Sequence, residues 1–226
     1  MAFLIVKEES VATEGGSGYI QTSGIYDLTL KHAEVVNTAN GAVQVNYFFD
    51  KCMSYGNNII GVSGQPTFGY KILEGLAAVL GQSELSNPEM TTVTFKKGSK
   101  ELSCIPELND VQVKAWIQIS YRMYKGEIQE DVSVRRFYRS SDNANGSEVV
   151  AMAKGENVTA GERYEKDSDF ASEIKYEDGV TPEAVAAWKK AKSGGGSAAP
   201  VQNTAAAKSG FPGAGTAKKS GFPGQK

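Results

Sequence analysis

The clearest hydrophobic pattern lies in residues 111–138, where apolar and polar positions alternate along two segments joined by Lys125-Gly126. Successive side chains of a β-strand point to opposite faces, so this pattern predicts a β-hairpin with one apolar and one polar face. The apolar face comprises Val111, Val113, Ala115, Ile117, Ile119, Ile128, Val132 and Val134. The outer face comprises Lys114, Trp116, Gln118, Arg122, Tyr124, Gln129, Ser133, Arg135 and Phe137. Aromatic side chains among Lys and Arg suit stacked bases and phosphates.

Three further strands and a helix are predicted before this hairpin. Residues 25–36 alternate at period two and end near Asn40-Gly41, a strong hairpin-turn signal that leads into a second strand. In that strand Val43, Val45, Tyr47 and Phe49 are expected to face the core, with Gln44, Asn46, Phe48 and Asp50 outside. A short third strand at 58–62 precedes a helix at 68–80, for which Thr67 is the expected N-cap.

The element order indicates an OB-fold. After the helix, residues 91–100 add an extra strand or hairpin, and the order is then strand, strand, strand, helix, strand, strand. We therefore predict a mainly β protein, an OB-fold-like five-stranded barrel with one helix between strands three and four, plus a C-terminal helix and a disordered tail. The expected domains are an N-terminal strand and flexible segment (1–23), the barrel (24–147), an acidic extension (148–192) and the tail (193–226).

The extension and the tail have distinct compositions. Residues 148–152 resemble a strand, 164–176 are too polar and acidic to build a core, and 181–192 form an amphipathic helix with Thr181 as N-cap. That helix is expected to dock on the barrel, with a partner protein as the alternative. The tail repeats Lys-Ser-Gly-Phe-Pro-Gly at 208–213 and 219–224. Short motifs of this kind engage partners, here through Phe211, Pro212, Phe222 and Pro223. The alternative is a spacer of biased composition whose sequence has no binding role.

Basic and acidic residues are concentrated in different segments of a nearly neutral chain. The formal net charge is -2, which is not the basic balance of a typical polyanion binder. Residues 111–139 nevertheless hold six basic side chains against three acidic ones, and the tail after Lys192 has no acidic residue. The apolar run at 1–6 is too short to cross a bilayer and does not resemble a signal peptide, so we expect a cytoplasmic protein without membrane contact.

Catalytic and metal-binding patterns are not found in the sequence. The single histidine, His32, has no Cys, Asp or Glu at ligand spacing, and Cys52 and Cys104 are predicted to be two free thiols. The glycine spacing of residues 64–69 resembles a phosphate-binding loop, but Tyr70-Lys71 follows where such loops have Lys-Ser or Lys-Thr. We therefore expect no enzyme activity, no cofactor and no metal.

Several segments together resemble a family of bacteriophage OB-fold proteins that bind single-stranded DNA. The resemblance covers roughly residues 24–147 and lies in the run 24–34, the turn Asn40-Gly41, the helix 70–80, the segment 124–127, Val132 and Phe137. It implies binding and protection of single strands during phage replication or recombination, in the cytoplasm of an infected host cell. Members of the family often end in an acidic tail that recruits replication or recombination proteins, whereas this chain ends in basic repeats.

In that interpretation single-stranded DNA crosses the outer face of the hairpin. The expected stacking residues are Trp116, Phe48, Tyr124 and Phe137, and the expected phosphate contacts are Lys31, Lys114, Arg122, Arg135 and Arg139. The alternative is that the 91–100 segment or the terminal helix covers Trp116 and Phe137. Two other functions remain open, a virion or assembly protein and a protein-binding module acting on a host factor.

Overall fold

The computed structural model describes residues 18–95, 98–177 and 179–193. Within these ranges the chain forms eight strands, four helices and one short 3-10 turn at Pro106–Leu108. The strands are β1 (Gly24–Asn37), β2 (Val43–Phe49), β3 (Met53–Ile60), β4 (Glu89–Phe95), β5 (Gly98–Cys104), β6 (Val111–Tyr124), β7 (Glu127–Tyr138) and β8 (Lys175–Tyr176). The helices are α1 (Phe68–Val79), α2 (Gly146–Ala153), α3 (Glu162–Ser168) and α4 (Pro182–Ser193).

The long strand β1 lies at the centre of one mainly antiparallel sheet. Its second half pairs with β2 and its first half pairs, on the other edge, with β6. The order β3-β2-β1-β5-β4 continues along one direction, while β6 also pairs with β7 and, in parallel, with the two-residue strand β8. The predicted hairpin at 111–138 is thereby confirmed as β6 and β7, and the predicted extra hairpin as β4 and β5.

The sheet does not close, so the predicted five-stranded barrel is wrong. Among the described strands β3 pairs only with β2 and β7 only with β6. Helix α1 packs against both β3 and β7, and these two strands also approach each other without pairing. The predicted position of the helix, between the third and fourth strands of the expected order, is confirmed. The helix covers part of the apolar face of the sheet, so this face is buried without the ladder of hydrogen bonds that would close a barrel.

The core lies between the concave face of the sheet and α1. Leu28, Leu30, Val45, Leu76 and Ile117 are almost completely buried there. The Tyr47 and Phe137 rings meet edge to face, with 5.6 Å between their centroids. The predicted inward orientation of Val45, Tyr47 and Phe49 is confirmed.

Helix α1 begins where the sequence predicts. The Thr67 hydroxyl accepts a hydrogen bond from the Gly69 amide at 3.2 Å, which satisfies one of the free amides of the first turn. Leu73, Leu76 and Val79 form the buried stripe. Phe68, the first residue of the helix, lies outside this stripe and is 57% exposed.

The segment after β7 is more regular than its sequence suggests. Residues 148–152, predicted as a strand, belong to helix α2, because the Asn145 side chain and the Glu148 carboxylate form a reciprocal capping box. Residues 164–176, predicted to be too polar and acidic to build a core, contribute most of α3, and Asp167 of this helix is buried. Helix α4 docks as predicted, and its Val185 and Trp188 pack with Ile119 and Tyr121 of β6.

Some predictions lie outside the described residues. These are the edge strand expected within 1–23 and the two tail repeats with Phe211, Pro212, Phe222 and Pro223. In the part of the chain that is described, no helix is both long enough and apolar enough to cross a membrane.

Candidate nucleic-acid interface

The part of the predicted outer face around Lys114 is covered by the segment that contains α3. The Lys114 ammonium donates a hydrogen bond to Asn143 Oδ1 at 2.7 Å and lies 5.4 Å from the centroid of the Tyr164 ring. Tyr138 packs edge to face against the same Tyr164 ring, at 5.2 Å between centroids. Lys114 is therefore engaged with protein groups and not open to a ligand.

A buried carboxylate holds the segment that contains α3 against the sheet. The Asp167 side chain is 3% exposed, pairs with the guanidinium groups of Arg136 and Arg163 and accepts a hydrogen bond from the Tyr138 hydroxyl at 2.7 Å. Trp116 lies beside Arg136 on the outer face and is partly buried, and its indole Nε1 has no hydrogen-bond partner among the described residues. Trp116 thus has only part of its ring available for stacking.

The expected outward orientation of Phe137 is wrong. Ala115 pairs with Phe137 and Ile117 with Val134, so β7 has one more residue than β6 between these two pairs. This β-bulge shifts the alternation by one position and turns both Val134 and Phe137 inward. Phe137 is 1% exposed and packs against Tyr47 and Phe49 in the core. The register of the hairpin itself buries Phe137, not the 91–100 segment or the terminal helix.

Phe48 is on the outer face of β2 but is covered by neighbouring aromatic rings. Its ring centroid lies 5.6 Å from that of Tyr55 and 5.8 Å from that of Phe95 on β4. Only 7% of Phe48 is exposed, which leaves no ring face for a base.

Besides Lys114, which lies 3.9 Å from Asp27, three of the predicted phosphate contacts form ion pairs with nearby carboxylates. Lys31 contacts Asp110 at 2.8 Å, Arg122 contacts Asp131 at 2.6 Å, and Arg139 contacts Asp142 through two guanidinium nitrogens. The hydrogen bond and the charge attraction between Lys31 and Asp110 raise the pKa of Lys31 and lower the pKa of Asp110. A phosphate at any of these cations would compete with a carboxylate that is already in place.

The tip of the β6–β7 hairpin stays open. Tyr124 is 46% exposed, and its ring centroid lies 5.7 Å from the Arg122 guanidinium and 5.2 Å from the Lys125 ammonium. Lys125 and Gly126 both have positive φ values, of 51° and 82°, as a two-residue hairpin turn requires. The tip therefore presents an aromatic ring between two cations.

Arg135 is the predicted phosphate contact that has no acidic partner among the described residues. It is the extra residue of the β7 bulge, and its guanidinium carbon lies 5.8 Å from the centroid of the Phe68 ring. Lys71 lies one turn further along α1, and neither cation forms an ion pair with a carboxylate of the described residues. The two cations and the exposed Phe68 ring line one cleft, which combines positive charge with a face for stacking.

This cleft has a volume of about 210 Å³ and lies between α1, β7 and the start of α2. Its lining comprises Phe68, Lys71, Ile72, Gly75, Arg135, Arg136, Phe137, Asn145, Gly146 and Ser147. Phe68 and Lys71 were not among the site residues predicted from the sequence. A signal existed for Phe68, because a large aromatic residue beside the N-cap falls outside the buried stripe of the helix; Lys71 carries no signal of its own.

The described residues contain no group of three or more His, Cys, Asp or Glu side chains placed to hold a metal ion. His32 Nδ1 lies 3.2 Å from Asn109 Oδ1, and Cys52 and Cys104 are buried free thiols.

The comparisons with known proteins add no relative, since no protein-family model, no curated protein and no solved structure matches the chain.

Proposed function

We propose that this protein binds single-stranded DNA without catalysis, through a surface that includes the cleft of Phe68, Lys71 and Arg135. The observation that carries the proposal is the Arg135 guanidinium lying over an exposed Phe68 ring, with no carboxylate paired to it among the described residues. A base can stack on the open part of the ring while Arg135 and Lys71 contact phosphates. Stacking of one base on an aromatic side chain contributes about 1–3 kcal/mol.

The pairing of the other cations explains why the cleft is favoured over the rest of the hairpin. A cation that already holds a carboxylate must exchange one anion for another, so it gains little when a phosphate arrives. Within the part of the chain that is described, Arg135 and Lys71 hold no carboxylate, so a phosphate would displace only water and salt ions from them. In this proposal Tyr124 and Lys125 at the hairpin tip form a second contact with the strand.

The biological setting belongs to the same proposal. The resemblance of residues 24–147 to phage single-stranded DNA-binding proteins supports protection of single strands during phage replication or recombination in an infected cell. The basic tail repeats would then contact DNA or a replication or recombination protein.

The test is fluorescence anisotropy of a labelled oligo-dT titrated with the full chain at several salt concentrations. Phe68→Ala should weaken binding by about 5- to 150-fold, the range that corresponds to one stacked base. Lys71→Ala should weaken binding and lower the salt slope of log K by about 0.7, the value for one phosphate contact on a single strand.

The matched control is Lys100→Ala on β5, an exposed lysine that does not line the cleft. The fold loss of affinity caused by Phe68→Ala should be the same in the presence and in the absence of Lys100→Ala. If the unaltered protein does not bind oligo-dT even at low salt, the proposal fails, and a virion protein or a protein-binding module becomes the better hypothesis.

A further inference from the structure

One end of the cleft is closed by the contact between α1 and α2. A Cβ atom built on Gly146 would lie 2.5 Å from the Gly75 Cα, so the two helices touch at this pair of glycines. The opposite end is marked by Phe68, which is more than half exposed. The buried Phe137 side chain contributes to the lining. A strand that enters beside Phe68 therefore meets a wall at Gly75 and Gly146.

The volume of the cleft restricts what can occupy it. Ligand pockets for drug-sized molecules typically measure about 300–1,000 Å³, whereas this cleft measures about 210 Å³. The cleft is therefore small for a drug-sized ligand and suits a phosphate group with the nucleotide attached to it. An internal nucleotide would need a path for the chain on both of its sides, and the contact between α1 and α2 at Gly75 and Gly146 closes one of them.

The positive charge in the cleft comes from side chains and not from the end of α2. The Asn145 side chain already accepts hydrogen bonds from the Ser147 and Glu148 amides, at 2.8 and 3.1 Å. Arg136 is paired with Asp167. Lys71 and Arg135 are thus the groups that an entering anion would meet with no carboxylate to displace.

We infer that the cleft binds the terminal phosphate of a single DNA strand, with the base of the end nucleotide stacked on Phe68. This inference rests on the proposed function and specifies which part of the strand the cleft recognises. A terminal phosphomonoester carries a charge of about -1.5 to -2 at neutral pH, more than the single charge of an internal phosphodiester. A cleft closed at one end, with two cations that pair with no carboxylate of the described residues, favours the terminal group on grounds of both shape and charge.

The test compares oligo-dT strands of one length, labelled internally and ending in a 5′-phosphate, in a 3′-phosphate or in hydroxyl groups at both ends. A circular single strand of the same composition serves as a ligand without ends. We expect one of the phosphorylated strands to bind about tenfold more tightly than the hydroxyl-ended strand, the gain of one charge-assisted hydrogen bond. Inorganic phosphate should abolish this advantage at concentrations that leave binding of the circle unchanged.

Variants test whether the cleft causes the tighter binding of the phosphorylated strand. Arg135→Ala and Lys71→Ala should each reduce the preference for the phosphorylated end, whereas Lys100→Ala should preserve it. The advantage should also diminish below about pH 6, where the phosphomonoester takes up a proton. Circular dichroism of each variant checks that the fold is retained.

The outcomes separate this inference from the proposed function. If all linear strands and the circle bind equally and Phe68→Ala weakens all of them, the cleft holds internal nucleotides and the inference is wrong, while the proposed function stands. If no strand binds, both are wrong. A preference for phosphorylated ends that survives Arg135→Ala and Lys71→Ala would place end recognition elsewhere and would also overturn the inference.

Discussion

Phe137 and Phe68 are aromatic residues with opposite roles in stability. Phe137 is 1% exposed and packs between rings of the core, whereas Phe68 is 57% exposed. We expect Phe137→Ala to lower the free energy of unfolding by about 3–5 kcal/mol, because it removes buried area and leaves a cavity. Phe68→Ala should lower it by less than about 1 kcal/mol. Urea denaturation of both variants measures the difference; comparable losses would contradict the assigned orientation of β7.

The two cysteine thiols should be unreactive in the folded protein. Burial raises the pKa of Cys52 to about 12, with the charge of Asp50 as a smaller contribution, and burial also raises the pKa of Cys104. The thiolate is the reactive form, so both residues should resist a disulfide reagent such as Ellman's reagent at neutral pH. In denaturant both should react at once. Rapid reaction of either thiol before unfolding would show that it is accessible.

At the scale of elements, the crossing of α1 and α2 depends on one of its two glycines more than the other. A Cβ on Gly146 would meet the Gly75 backbone at 2.5 Å, whereas a Cβ on Gly75 would have no atom within 4 Å. Gly146→Ala should therefore cost about 1–3 kcal/mol of stability by forcing the helices apart.

Gly75→Ala is the matched control, since it adds the same methyl group at the same crossing. It should be neutral or should stabilise the protein by up to about 1 kcal/mol, because alanine favours the helix. Thermal denaturation of both variants is sufficient to test this. An equal effect of the two substitutions would mean that the helices do not approach each other as closely as described.

The elements differ in how far the sequence determines them. The period-two pattern predicts β6 and β7, and Thr67 predicts the start of α1, because these signals are local. The bulge at Arg135 has no such signal, since no glycine or turn residue marks it, and it reverses the orientation of Phe137. Helix α2 was predictable in part from the Asn145 and Glu148 capping box, but the β-branched Val149 and Val150 favoured a strand.

The candidate site depends on tertiary packing that no local pattern specifies. Arg135 was predicted from the outer face of the hairpin, but its contact with Phe68 requires α1 to pack against β7. The pairing of Arg122 with Asp131 was within reach of the sequence, because these residues lie on adjacent strands. The pairing of Arg136 with Asp167 joins β7 to α3 and could not be predicted from the sequence.

In the molecule as a whole, 24 basic residues are nearly balanced by 26 acidic ones. The same balance is seen locally, where basic side chains pair with acidic ones. Several cations of the hairpin have a carboxylate within bonding distance, so the positive potential is confined to a few places. A protein of this kind should bind a single strand through few phosphate contacts. Its salt dependence should accordingly be shallower than that of a strongly basic DNA-binding protein.

The whole fold should lose stability in alkaline solution because buried tyrosines must stay protonated in it. Burial raises the pKa of Tyr47 above its ordinary value of 10.0. Burial also raises the pKa of Tyr121 and Tyr138, with a further contribution from their hydrogen bonds to Glu130 and Asp167. The unfolded chain releases these protons near their ordinary pKa, so the stability that is present below about pH 9 declines as the pH rises through 10. At about pH 11 each tyrosine that stays protonated in the folded state lowers the free energy of unfolding by about 1.4 kcal/mol.

Tyr47 offers the sharpest test of this alkaline loss, because its hydroxyl is buried and has no hydrogen-bond partner among the described residues. Tyr47→Phe removes the group that would ionise on unfolding, so the variant should lose less stability than the unaltered protein between neutral pH and about pH 11. It should be no less stable at neutral pH, since it also removes an unsatisfied polar atom. The matched control is Tyr124→Phe at the exposed hairpin tip, which should follow the pH dependence of the unaltered protein. Urea unfolding at both pH values measures these differences, and identical alkaline losses for the two variants would show that the Tyr47 hydroxyl reaches solvent in the folded protein.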